Sequence, residues 1–199
     1  VEVESSGDAA DDPALWIHPD DTFKSLILGT DKQAGLYSYD LNGQIIQFIP
    51  SGALNNVDVR QGVTIGNWQG DLAAATNRSD NTVTLFMVTT EGRMKETGRV
   101  PTNRKEPYGF CMGDVKGQVL LVVTYKNGMV DIFTLDQITG GPQARLVQSL
   151  TLQSQLEGCV VDEPNNALYI GEENAGISRY DLVADETVKA VNGRRVDVL

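Results

Sequence analysis

Val130-Asp131-Ile132-Phe133-Thr134-Leu135 reads as one half-buried strand, with apolar side chains that change face along its length. The same layout returns at intervals of 47 residues as Leu36-Tyr37-Ser38-Tyr39-Asp40-Leu41, Val83-Thr84-Leu85-Phe86-Met87-Val88 and Ile177-Ser178-Arg179-Tyr180-Asp181-Leu182. Three anchor series result: Leu36, Val83, Val130 and Ile177; Tyr39, Phe86, Phe133 and Tyr180; Leu41, Val88, Leu135 and Leu182. A self-similar period of about 40–50 residues marks stacked arrays such as propeller blades. Four units fill the chain.

Working outward from each anchor strand, turn signals separate three further short apolar runs. The first unit reads as Ala14–Ile17, Leu26–Gly29, Leu36–Asp40 and Gln44–Ile49, with turns at His18-Pro19 and Asn42-Gly43. The others open at Val57-Asp58-Val59, Tyr108–Met112 and Gly158–Asp162, and the last strand is expected near Val188–Val198. No segment keeps a helical apolar period. The expectation is an all-β chain, a single partial β-propeller over 1–199, with four-stranded antiparallel blades at approximately 10–52, 53–101, 102–153 and 154–199.

Because strands of a meander alternate in direction, second-to-third loops lie at the same end as the approaches to the first strands. Those loops carry Asp31, Lys32, Arg78, Lys126, Glu172 and Glu173; the approaches carry Asp11, Asp12, Asn55, Asn56, Asp58, Tyr108 and Glu157. One face therefore collects three cations, several carboxylates and a phenol, a plausible seat for a polyanion bound with metal ions. Quieter roles exist for each: solvated loop cations, a capped core tyrosine, and turn-forming Asp12-Pro13 and Asn55-Asn56. His18, the lone histidine, precedes Pro19 and reads as structural, which leaves a Ser–His or Cys–His hydrolase without support.

Sixteen Lys and Arg against 27 Asp and Glu give a formal charge of −11, so nucleic acid and anionic membranes are poor partners. Excess carboxylate suits a hard cation such as calcium. No apolar run is long enough to span a bilayer, and no signal peptide is visible at Val1. Cys111 and Cys159 lack metal-type spacing. Each follows an opening-strand motif, and neighbouring inner strands could bring them close. Cysteine more often serves as a small core residue, so two buried free thiols are expected.

The motifs resemble those of the β-propeller phytases, calcium-dependent phosphatases acting on inositol hexakisphosphate. The matching segments run in order from Asp11-Asp12-Pro13-Ala14-Leu15-Trp16-Ile17-His18-Pro19 through Gly29-Thr30-Asp31-Lys32, Gly35-Leu36-Tyr37 and Leu54-Asn55-Asn56-Val57-Asp58-Val59-Arg60. They continue with Asn77-Arg78-Ser79, Tyr108-Gly109-Phe110, Val123-Thr124-Tyr125-Lys126, Gln155-Leu156-Glu157-Gly158-Cys159 and Leu168-Tyr169-Ile170-Gly171-Glu172-Glu173. Nine segments in one order make the resemblance specific.

The resemblance implies a phosphoric monoester hydrolase of the 3-phytase type. Lys32, Arg78, Tyr108 and Lys126 would bind phosphate, Arg78 as a bidentate fork and the lysines as point charges. Asp12, Asp58, Glu157, Glu172 and Glu173 would hold several calcium ions, with Asp11 and Asn56 as further contributors; Glu157, Glu173 and Tyr108 would stand at the reacting centre. Metal-held water would attack phosphorus with no side-chain nucleophile. Two departures stand out. The family's lysine pair is here Lys32-Gln33, and the family's six blades exceed the four found between residues 1 and 199. A rival reading follows: an incomplete propeller that binds phytate or phosphate without turnover, beside a complete catalytic domain. Open blade edges would invite self-association or a following domain. Residence outside the cell or in the periplasm is implied by the resemblance and by calcium chemistry.

Overall fold

The structure, a computed structural model, describes residues 3–184 and 187–196. Its framework is sixteen strands in four antiparallel sheets, each a meander of four consecutive strands. The first sheet holds β1 (Ala10–Trp16), β2 (Leu26–Asp31), β3 (Gly35–Tyr39) and β4 (Ile45–Ile49). The second holds β5 (Leu54–Ile65), β6 (Trp68–Asn77), β7 (Thr82–Val88) and β8 (Met94–Pro101). The third holds β9 (Pro107–Val115), β10 (Gln118–Tyr125), β11 (Met129–Gln137) and β12 (Gln143–Thr151). The fourth holds β13 (Leu156–Asp162), β14 (Ala167–Glu172), β15 (Gly176–Ala184) and β16 (Val188–Arg195). The far end of the strand expected near Val188–Val198, residues 197–198, lies outside the described residues. The opening strands start earlier than their apolar runs suggested: β1 takes in Ala10-Asp11-Asp12, and β5 takes in Leu54-Asn55-Asn56. Ladder pairing with β2 and β6, through Ala10↔Asp31 and Leu54↔Asn77, draws these polar residues into strands.

The 47-residue spacing has a packing cause. Alternation along the third strand of each sheet sends the first anchor to one face and the second and third anchors to the other. Leu36 accordingly packs with Val57, Val59 and Ala73 of the second sheet, and Phe86 and Val88 return the contact from the other side. Val83 and Leu85 meet Phe133 and Leu135 in the next cluster, and Val130 and Ile132 meet Leu168 and Leu182 in the last. Each sheet is thus a blade that serves both neighbours with one strand.

The inner strands pack in sequence, β1 beside β5, β5 beside β9 and β9 beside β13. Among the described residues no comparable packing joins β13 to β1, so the first and fourth blades each have an open flank. Two of the anchors facing those flanks are exposed, whereas Tyr39, on the same side of β3 as Leu41, stays at 0%. Ile177 is 40% exposed where Leu36, Val83 and Val130 are at 0%, and Leu41 is 47% exposed.

The expectation of two free thiols is corrected. Cys111 on β9 and Cys159 on β13 form a disulfide, with Cα atoms 5.6 Å apart. The two opening strands lie side by side and both cysteines turn into the joint between the third and fourth blades, which puts the Cα atoms within ordinary bridging range. A second tie crosses the inner strands. Arg60 on β5 donates to Glu163 at 2.8 Å, to Asp58 at 2.8 Å and to the Met112 carbonyl at 2.5 Å, so one guanidinium engages three blades.

Candidate anion-binding and catalytic face

Lys32, Arg78, Lys126 and Glu173 all sit in loops between second and third strands, and the backbone fixes three of these loops against the approach to an inner strand. The Lys32 N–H donates to Ala9 O (2.8 Å), the Arg78 N–H to Ala53 O (2.9 Å) and the Glu173 N–H to Gln155 O (3.0 Å). Three blades therefore present their loops at one end of the inner strands by the same device.

Joints between blades then fix the backbones of two further site residues. Thr76 Oγ1 donates across the second joint to the Tyr108 carbonyl at 2.8 Å, and Thr124 Oγ1 donates across the third to the Glu157 carbonyl at 3.0 Å. At Gly109 a Cβ would land on the Glu157 carbonyl oxygen, so glycine is required there for the strands to approach so closely.

On this platform the charged groups converge. The Lys126 ammonium lies over the Tyr108 ring, 4.4 Å from its centroid, a cation–π contact that holds the amine over the face. Burial, then the charges of Glu157, Asp11 and Glu173, push the Tyr108 phenol above its ordinary value, while Lys32 pulls it down. Residues from the first, third and fourth blades thus act on one phenol. Lys32 is paired with Asp8 at 2.8 Å and Asp11 at 3.3 Å. Arg78 Nε is buried and makes no hydrogen bond. Glu173 accepts from Gln155 Nε2 at 2.6 Å, and the Glu157 side chain lies exposed beside it on a shallow cavity with Gly158, Gly171, Gly176 and Ile177.

The carboxylates divide into two groups. Asp12 accepts from the Val57 N–H at 3.0 Å, and burial, opposed by that bond and reinforced by the charges of Asp11 and Asp58, pushes its carboxyl up to about 6. Carboxylate oxygens are the donor type that a hard cation prefers. Asp58 and Glu172, by contrast, spend their oxygens within the fold. Asp58 accepts from the Met112 N–H (2.8 Å), the Val59 N–H (2.7 Å) and Arg60 (2.8 Å). Glu172 is buried and accepts from the N–H groups of Gln153 (2.8 Å) and Ser154 (2.7 Å) and from Arg195 (2.5 Å). Burial pushes its carboxyl up, yet Arg195 and Ser154 outweigh this and hold it below its ordinary value. Among the described residues no three Asp, Glu, His or Cys side chains are gathered closely enough to hold a metal ion by themselves. The donor chemistry fits calcium; the gathering is incomplete. Asp8 lies outside every motif that the sequence offered, and Gln155 and Arg60, although inside quoted segments, were given no role of their own there, since an ordinary polar side chain carries no mark of its partner.

Four meandering sheets whose inner strands pack in order, with cations and carboxylates at one end, define a propeller-type protein with a candidate anion-binding face. Solved structures agree on the fold. A functionally unknown protein from Desulfotomaculum acetoxidans superimposes with a TM-score of 0.65 at 17% identity, over 97% of this chain and 58% of that one. Sqt1 from Chaetomium thermophilum superimposes with a TM-score of 0.58 at 16% identity, over 87% of this chain and 43% of that one. The sequence resolves the class further. The model of the Phytase family matches residues 1–198, and the chain belongs to that family. It is 35% identical over 189 residues to the 3-phytase of Bacillus subtilis (strain 168), across 90% of this chain and 50% of that relative. The chain thus spans about half the length of the curated relative it matches.

Proposed function

We propose that this chain carries the phosphate-binding face of a calcium-dependent phytase, which hydrolyses phosphomonoesters of inositol hexakisphosphate. The observation that carries the reading is the convergence of Lys32, Lys126, Glu157 and Glu173 from three blades around the Tyr108 phenol, with the unpartnered Arg78 Nε on a loop of the same class. Arg78 would grip phosphate oxygens in a fork, and Lys32 and Lys126 would neutralise them as point charges. Tyr108 would keep Lys126 over the face and offer its hydroxyl to the substrate. Asp12, Glu157 and Glu173 would hold calcium, with Asp11 beside them. Bound calcium would supply charge neutralisation and an activated water. Residence outside the cell or in the periplasm gains support from the Cys111–Cys159 disulfide, which persists in oxidising compartments.

The second reading, a module that captures phytate without turnover, is favoured by one observation. Asp58 and Glu172 are committed to structural bonds, which thins the carboxylate set left for metal. Phosphate release from inositol hexakisphosphate, with and without added calcium, separates the two. Calcium-dependent release that Glu157→Ala abolishes supports the enzyme; calorimetric binding without release supports the module. Under both readings Lys126→Glu weakens phytate binding by about tenfold or more, because it sets a carboxylate against phosphate where an ammonium stood. Unchanged affinity in that variant would remove Lys126 from the site.

A further inference from the structure

We infer that Asp8 is an internal counter-anion, holding the Lys32 ammonium against the anion that the face is built to receive. The inference rests on the reading of Lys32 and Arg78 as phosphate-binding groups. It concerns the segment that precedes β1 and none of the residues assigned to metal or catalysis.

The two carboxylates on Lys32 differ in kind. Asp11 belongs to β1, and its side chain is 23% exposed; Asp8 precedes the strand, and its side chain is 91% exposed. Lys32 itself is only 15% exposed, so little of its side chain remains open to an incoming ligand while Asp8 is in place. The closer contact is nonetheless the one from outside, 2.8 Å against 3.3 Å. Arg78 also acts on the Asp8 carboxyl, although more weakly than Lys32. A negative oxygen pair thus already stands where two of the three face cations exert their field.

The segment is held so as to deliver this carboxylate. Ala9 is buried, and its carbonyl accepts from the Lys32 N–H at 2.8 Å. On the other side of Asp8, the Ser6 carbonyl accepts from Gln33 Nε2 at 2.9 Å. Lys32 and Gln33 therefore anchor the backbone on both sides of the residue that neutralises Lys32. Between the anchors Gly7 takes a φ of +80° with open space around it, a conformation that turns the chain toward the loop and that other residues rarely adopt. A phosphate arriving at Lys32 must displace the carboxylate, and its apparent affinity falls by the fraction of molecules in which Asp8 is seated.

Asp8 is the solvent-screened member of the pair, so removing its charge changes affinity modestly, by roughly two- to fivefold. The test is calorimetric titration of inositol hexakisphosphate into the full chain at low ionic strength, for the parent, Asp8→Asn, Lys32→Gln and the double variant. Tighter binding by Asp8→Asn, and no gain from the same change in the Lys32→Gln background, is the expected result. Equal or weaker binding by Asp8→Asn overturns the inference, as does a gain that persists without Lys32, which would be a general charge effect. If Lys32→Gln binds as the parent does, the assignment of Lys32 to the anion site falls and Asp8 falls with it. A ligand-free readout separates these failures: acylation of Lys32 by an amine-reactive ester, followed by peptide mass spectrometry, should accelerate in Asp8→Asn. An unchanged rate shows that Asp8 does not hold the amine in solution and refutes the inference whatever the titration gives.

Discussion

Replacing both cysteines, Cys111→Ala with Cys159→Ala, removes the disulfide cross-link between the third and fourth blades and frees a loop of 48 residues. The chain-entropy model assigns the closure of such a loop about 4 kcal/mol at room temperature. For a chain of this size each kcal/mol moves the melting temperature by about 2–4 °C, so the double variant should melt about 8–16 °C below the parent. Thiol reduction of the parent should give the same shift, because it opens the same bond and leaves the packing of Leu156, Leu168 and Ile170 against Val122 and Ile132 in place. The assay is a thermal melt followed by circular dichroism, with and without reductant. The double variant serves as the control that must not respond to reductant. A shift below about 3 °C would refute the reasoning, since it would mean that the inter-blade cluster alone restricts the unfolded ensemble as strongly as the bond does.

Two further outcomes follow from the inner strands. Asp12 has a folded-state carboxyl raised from 3.8 to about 6, so the folded state binds more protons than the unfolded one between those values, and stability without metal falls as pH rises through that window. After discounting for partial exposure the loss is about 1–2 kcal/mol; urea titrations at successive pH values should show it in the parent and not in Asp12→Asn, and a flat parent profile would contradict the burial argument. Gly109→Ala drives a methyl group into the Glu157 carbonyl, whereas Gly158→Ala, at the matching position of the next blade, meets nothing within 4 Å. The first should cost about 2–4 kcal/mol in a chemical denaturation curve and the second under about 1, and equal costs would show that the fourth blade's flank is covered in solution.

Much of the fold was legible because its cause is local and repeated. Each third strand must serve two neighbours, so its anchors recur at 47 residues, and Leu36, Val83 and Val130 report that constraint directly. The same logic explains Ile177, which keeps the apolar identity of its position although the flank it faces is open. The charged loops were also legible, because topology alone puts Lys32, Arg78, Lys126 and Glu173 at one end. What sequence did not reveal was how each carboxylate spends its oxygens. Glu172 and Glu173 are adjacent and look alike, yet alternation at the end of β14 turns the first inward to Ser154 and Arg195 and leaves the second on the face. The disulfide was missed for a related reason. Its partners are 48 residues apart, and only the side-by-side packing of β9 and β13 shows that they face each other.

The joints between blades and the functional face are made by the same atoms. Thr76 secures the carbonyl of Tyr108, and Thr124 secures that of Glu157, so the second strands of the middle two blades each fix a site residue that belongs to the following blade, whereas Thr30 on β2 bonds the Asp12 carbonyl of its own blade. A blade considered alone would present its cation and lack the partner across the joint. This arrangement makes loop charge necessary for the site and blade packing what sets its geometry. It also marks where the pattern ends. Gly171 stands 47 residues after Thr124, with no hydroxyl to donate, and Gly158 opposite it has no neighbour to receive. Among the described residues the fourth blade therefore supplies Glu157 and Glu173 to the face, and its second strand carries no hydroxyl at this position. A substitution such as Thr124→Val should accordingly loosen Glu157 and weaken the third joint together, because a single hydrogen bond serves both.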